Sequence, residues 1–133
     1  MGGGSLPAAT DDAATAAPGT GAQAVYRKIT AGEAHDMMTA SAGFILLDVR
    51  GEDEYNTEHI AGAVLMPVDR IAGRAEAELP DRNQLLFVYC RSGVRSERAA
   101  KTLVGMGYTN VHDIGGIIDW PYETVIGTGE DEP

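Results

Sequence analysis

The chain is poor in three things, and each shortage closes a class of function. It has one cysteine, Cys90, in 133 residues. That excludes an intramolecular disulfide and a cysteine-built zinc site. Positive charge is scarce: ten Lys and Arg stand against twenty Asp and Glu, for a net charge of −10. Such a balance argues against nucleic acid as the main partner. No apolar run is long enough to span a bilayer, so no membrane partner is expected. No metal and no cofactor are expected either. The length suits one domain, and an apolar content of 44% allows a useful core. No exposed apolar stripe stands out, so a monomer is expected.

What the chain does have is one organised stretch: Tyr89, Cys90, Arg91, Ser92, Gly93, Val94, Arg95, Ser96. The apolar run 85–89 enters it and a helix-like segment, 96–106, leaves it. A strand ending in a cysteine, a short glycine-containing loop with two arginines, then a helix, makes an anion site. Helix N-termini offer unpaired N–H groups and the positive end of the macrodipole. Successive loop amides can curl into a nest for a negative group. The same field favours thiolate over thiol, and the thiolate is the nucleophile. The plain alternative is a small buried hydrophobe at a strand end. Arg91 and Arg95 weigh against that reading, because charges are rarely buried without partners. The basic residues Arg91, Arg95, Arg98 and Lys101 cluster here in an otherwise acidic chain, which suits a small anion.

Residues 1–24 are mostly Gly, Ala, Ser, Thr and Pro, with two aspartates as the only charged side chains and no aromatic residue. They cannot repay the entropy of ordering and are expected to form a disordered tail. The opening Met1, Gly2, Gly3, Gly4, Ser5 reads as a linker, and it lacks the basic start and apolar middle of a signal peptide. A cytoplasmic protein is the expectation, with the periplasm open if an export signal once stood in place of this tail. Residues 25–126 form the expected domain, and 127–133 a short acidic tail.

Within the domain, residues 26–29 alternate as an edge strand. Thr30 and Glu33 fit a capping box that opens a helix to about Thr39. His35 on that helix is expected at the surface. The run 44–47, closed by Asp48, Val49 and Arg50, has the continuous apolar character of a strand buried on both faces. A short acidic helix follows from Gly51. A strand at 63–66 stops at Pro67, and 68–79 is amphipathic. After the 85–89 strand and the cysteine loop come a helix, a strand at 111–114, and a Gly115–Gly116 turn with one helical turn before Pro121. Strands alternating with helices call for an α/β fold with a mostly parallel sheet. Ligands in such sheets bind beyond the carboxyl ends of strands, where Asp48 and Cys90 both stand.

These motifs resemble a known family. Leu47, Asp48, Val49 and Arg50 are followed by Glu54, Tyr55 and then His59, Ile60, Ala61, Gly62, Ala63. Next come residues 88–96 around the cysteine, and last Gly115, Gly116 and Trp120. In that order, over about Tyr26 to Tyr122, they resemble a single-domain rhodanese, a sulfurtransferase. The resemblance implies a five-stranded, mostly parallel sheet flanked by helices on both faces. It implies that Cys90 attacks the outer sulfur of a small anion such as thiosulfate, releases sulfite and carries a persulfide. A thiol, cyanide or a protein acceptor then removes that sulfur. The loop residues Arg91, Ser92, Gly93, Val94, Arg95 and Ser96 are expected to hold the persulfide and the donor, with Arg91 and Arg95 attracting the oxyanion.

Around them, the resemblance gives Asp48 and Arg50 a supporting role behind the cysteine. Asp48 is a natural partner for the loop's amides or arginine. Arg50 and Glu54, four apart at a helix start, are expected to pair with each other. His59, His112 and Trp120 read as structural, and Asp119 as solvent-facing. A cysteine–arginine loop also serves cysteine phosphatases and arsenate reductases, but theirs is longer. Only Arg91, Ser92, Gly93 and Val94 separate Cys90 from Arg95 here, and no general-acid loop is evident. A non-enzymatic binding or persulfide-carrier module is the other alternative, and retention of Cys90 argues against an inert one. A redox role would be a side reaction of the same thiol.

Overall fold

The structure, a computed structural model, describes residues 24–127. The expectations for the tails fall outside these residues, apart from Ala24 and Gly127. Among the described residues, seven strands and four α-helices follow one another: β1 Arg27–Lys28, α1 Ala31–Ala40, β2 Phe44–Asp48, α2 Glu52–Thr57, β3 Glu58–Ile60, β4 Val64–Leu65, α3 Ile71–Glu78, β5 Leu85–Cys90, α4 Val94–Gly105, β6 Val111–Gly116 and β7 Thr124–Ile126. Short 3₁₀ turns cover Val68–Arg70 and Ile117–Asp119.

Five strands form one sheet in the order β1-β6-β5-β2-β4, and every neighbour is parallel. The expected α/β architecture is therefore the observed one. The apolar runs go to the centre: β5 and β2 are flanked by strands on both sides, and Leu86, Phe87, Val88 and Tyr89 are fully buried. Side chains alternate between the two faces of the sheet. Leu47, Val49, Leu86, Val88 and Cys90 face α3 and α4, where Ile71, Ala99 and Leu103 pack. Leu46, Phe87 and Tyr89 face the other layer with Ala34 of α1 and Ile60 of β3. The two edge strands are two residues long.

The capping box of α1 forms as expected, Thr30 Oγ1 accepting from Glu33 N–H at 3.0 Å and Glu33 Oε1 from Thr30 N–H at 2.9 Å. Two elements escaped the sequence. Residues 58–60 and 124–126 pair antiparallel as a separate ribbon, β3 with β7. Neither has enough apolar alternation to announce a strand. His35, expected at the surface, is half-buried and stacks on Tyr122 at 3.9 Å between ring centroids, with Trp120 beside it. The aromatic partners lie 85 or more residues downstream, beyond local reading.

The β5–β6 pairing is regular up to Val88 opposite Asp113 and then jumps to Tyr89 opposite Gly115 and Cys90 opposite Gly116. One residue, Ile114, is inserted at this bulge. It brings two glycines level with the catalytic-looking end of β5.

Candidate active site

Cys90 is the last residue of β5, and its side chain is 1% exposed. The chain then turns in three residues. Gly93 sits at φ +112°, a conformation that favours glycine, and serves as N-cap of α4. That tight turn starts the helix at Val94, two residues before the expected Ser96. Val94, Arg95 and Ser96 are therefore first-turn residues of α4, and the loop proper is Arg91–Gly93. Val94 stands 77% exposed at the helix start. Gly93 N–H donates to Cys90 Sγ at 3.0 Å. The sulfur thus lies at the N-terminus of a twelve-residue helix, whose orphan amides and dipole favour an anion there.

The floor of the loop is backbone. A Cβ on Gly116 would lie 2.1 Å from Arg91 O and 2.6 Å from Ser92 Cα, so only glycine fits. Ile118 N–H donates to Arg91 O at 3.3 Å and holds the loop from the far side.

Ser96 is fully buried, and its hydroxyl points down, away from the mouth. It lies 2.7 Å from Asp113 Oδ1, with Gly93 O at 3.1 Å and Gly115 O at 3.3 Å. Asp113 Oδ1 also accepts from Gly115 N–H at 2.9 Å, and Oδ2 from the Tyr26 hydroxyl at 2.6 Å. Burial, then Asp113, pushes the Tyr26 hydroxyl pKa well up, so it stays a donor. The sequence reading passed over Asp113. The signal was available: a carboxylate in a strand between Val111 and Ile114 needs internal donors.

Asp48, a natural partner for the loop by sequence, makes its hydrogen bonds elsewhere. It lies opposite Tyr89 in the β2–β5 register and so points to the face of the sheet away from Cys90. There its carboxylate accepts from Arg50 N–H, Nε–H and Nη2–H at 2.9, 3.0 and 2.7 Å and from the Tyr89 hydroxyl at 2.7 Å. Tyr89 Oη in turn accepts from Ile60 N–H at 3.0 Å, and Arg50 Nη2 donates to Glu58 O at 2.6 Å. This buried node ties β2, β5 and β3 together on the face of the sheet away from Cys90.

The expected Arg50–Glu54 pair does not form. Arg50 precedes the helix, which begins at Glu52, so the i,i+4 spacing has no helical turn to act through. Glu54 instead meets Arg95 fork to fork, Oε1 to Nη1 at 2.7 Å and Oε2 to Nη2 at 2.9 Å. The Arg95 hydrogen bonds hold the Glu54 carboxyl well below the usual range, at about 2, helped by Gly51 N–H. Arg95 is held more firmly protonated, first by those bonds, then by the charges of Glu54, Cys90 and Asp48. Arg91 is exposed and has no carboxylate partner among the described residues. His59, read from the sequence as structural, is buried, stacks on Tyr55 and contacts Tyr55 O through Nδ1 at 2.9 Å. No group of three or more metal-ligating side chains occurs among the described residues, and no described helix is long and apolar enough to cross a membrane.

Known proteins match this chain in sequence and in fold. The family profile described as Rhodanese-like domain covers residues 30–121. The chain belongs to the rhodanese family. Its relatives include the thiosulfate sulfurtransferase PspE of Escherichia coli (strain K12), 38% identical over 73 residues, or 55% of this chain and 70% of that protein. Another is the thiosulfate sulfurtransferase GlpE of Coxiella burnetii (strain RSA 331 / Henzerling II), 31% identical over 72% of this chain and 88% of that protein. A solved structure described as rhodanese with anions from E. coli superposes with a TM-score of 0.59 at 36% identity, covering 62% of this chain and 98% of that one. Sulfur transfer is the activity that the rhodanese family and these relatives support for this chain.

Proposed function

We propose that this rhodanese moves a sulfane sulfur from a small anionic donor such as thiosulfate to a thiophilic acceptor, through a persulfide on Cys90. The observation that carries the reading is the position of Cys90 Sγ, at a buried strand end and 3.0 Å from Gly93 N–H at the start of α4.

Each step follows from that position. The Cys90 thiolate attacks the outer sulfur of thiosulfate, a new S–S bond forms, and sulfite leaves with the electron pair of the broken bond. Cys90 then carries a terminal sulfur with one negative charge. The N–H groups from Arg91 to Ser96 are the donors available to hold it, and they require no movement of side chains. Ser96 contributes its N–H, because its hydroxyl is committed to the residues below. Cyanide or a thiolate attacks the terminal sulfur, takes it as thiocyanate or a new persulfide, and returns the Cys90 thiolate. No general base is required once the thiol is ionised. Asp48, Arg50, Tyr89 and Asp113 act behind the loop by fixing the strands that carry it.

The test is intact mass after incubation with thiosulfate, before and after cyanide. A gain of one sulfur that cyanide removes and that Cys90→Ala lacks is the expected result. The same gain in Cys90→Ala would overturn the nucleophile assignment.

A further inference from the structure

The four cations that follow Cys90 are not equally available to a substrate. Arg98 and Lys101 lie along α4 in exposed pairs with Asp69 and Glu97. Arg95 is different. Its partner Glu54 comes from α2, 41 residues earlier, and meets it in a two-bond fork. Glu54 is itself fixed by Gly51 N–H at 3.0 Å. Arg91 alone keeps an uncompensated charge among these four. A carboxylate has been brought across the fold to neutralise a guanidinium of the first turn of α4, the turn that follows Cys90.

We propose that Glu54 sets the donor preference of the site by taking up the charge of Arg95, tuning it to sulfane-sulfur donors with one negative charge, such as thiosulfonates, over dianionic thiosulfate. This rests on the sulfurtransferase reading above. The physical basis is Coulombic. A carboxylate near the mouth repels a dianion about twice as strongly as a monoanion at the same place. Arg91 and the helix amides suffice to hold one charge. Glu54 bonds to Arg95 and Gly51 N–H and makes no hydrogen bond to Cys90, so it is a positioning residue whose charge offsets that of Arg95.

The two donor types share the chemistry and differ in charge. With thiosulfate, Cys90–S⁻ takes the outer sulfur and sulfite leaves. With methanethiosulfonate, the same attack gives the same persulfide, and methanesulfinate leaves with the electron pair. The comparison of kcat/KM for the two donors therefore isolates charge recognition.

Glu54→Gln keeps an acceptor for Gly51 N–H and removes the negative charge. It is expected to lower KM for thiosulfate about three- to fivefold, the scale of a half-exposed ion pair. It should change KM for methanethiosulfonate by less than about twofold, with kcat little altered for either. In an Arg95→Gln background, Glu54→Gln should still favour the dianion, since the bare carboxylate is then removed, and Arg95→Gln alone should shift preference further toward the monoanion. A gain of affinity is a result that simple loss of structure does not produce. Should Glu54→Gln fail to fold, Glu54→Ser, read by the same ratio of KM values for the two donors, carries the test. An unmoved donor ratio in the folded variants overturns the inference and leaves sulfur transfer standing. No transfer from either donor by the parent protein overturns the sulfurtransferase reading and the inference with it.

Discussion

Asp48 and Cys90 close neighbouring parallel strands, one register step apart, and both are buried. Their surroundings differ in saturation. Asp48 is met by the backbone N–H and guanidinium of Arg50 and by the Tyr89 hydroxyl, which fill its acceptor sites. Cys90 Sγ is met by one amide, Gly93 N–H, and faces the start of a helix. Burial alone does not separate the structural carboxylate of Asp48 from the thiol proposed to react. What separates them is whether the acceptor capacity is already filled.

The contrast predicts opposite phenotypes. Cys90→Ala should abolish sulfur transfer with an unfolding midpoint close to that of the parent; residual cyanide-sensitive sulfur loading would break the contrast from one side. Asp48→Ala should do the reverse first. It strands Arg50 in the interior, and removing one partner of a buried pair costs ~3–5 kcal/mol. Denaturant melts should show a large loss of stability, and a near-native midpoint would mean the node is not what fixes the strand ends.

Gly116→Ala sharpens the comparison from beneath the loop. Its methyl would sit against Arg91 O, so the loop must lift, at a cost of ~1–3 kcal/mol by the usual scale of overpacking. Transfer should fall by more than stability, since the loop amides move off the sulfur. Equal activity would show that amide placement is not limiting.

The smallest expected effect lies furthest from the thiol. His112 is buried beside Phe87, with Nδ1 unpartnered, and its pKa is lowered by burial and then by Arg27. The unfolded chain therefore binds a proton more readily than the native one. The neutral imidazole contributes its full stability above the unfolded pKa, about 6.5, and that is lost as pH falls toward the lower native value. The slope cannot exceed ~1.4 kcal/mol per pH unit. His112→Phe should flatten the stability–pH curve in that window, and an unchanged slope would place the acid sensitivity elsewhere.

Much of this was written in the chain. The runs 44–47 and 85–89, the Thr30–Glu33 box and the cysteine before a glycine and two arginines state the sheet, a helix start and the strand–turn–helix at the end of β5. They do so because local periodicity and capping depend on near neighbours. The partners of charged groups did not follow from spacing. Arg50 and Glu54 stand four apart, yet one turns to Asp48 and the other to Arg95, because the sheet brings α2 against α4's first turn. Asp113 went unread because its donors, Tyr26 and Ser96, come from 87 and 17 residues away. The ribbon of β3 and β7 was hidden for the same reason: its pairing spans the whole domain.

The two-residue edges of the sheet have a colloidal consequence. A long bare edge is a ledge on which another chain can add a strand and begin a fibril. Here β1 offers Arg27 and Lys28, and β4 offers Val64 and Leu65 before Pro67. Neither is long enough to seed a ladder, and one is guarded by charge. Among the described residues, the five-stranded sheet thereby leaves foreign backbone little edge to pair with.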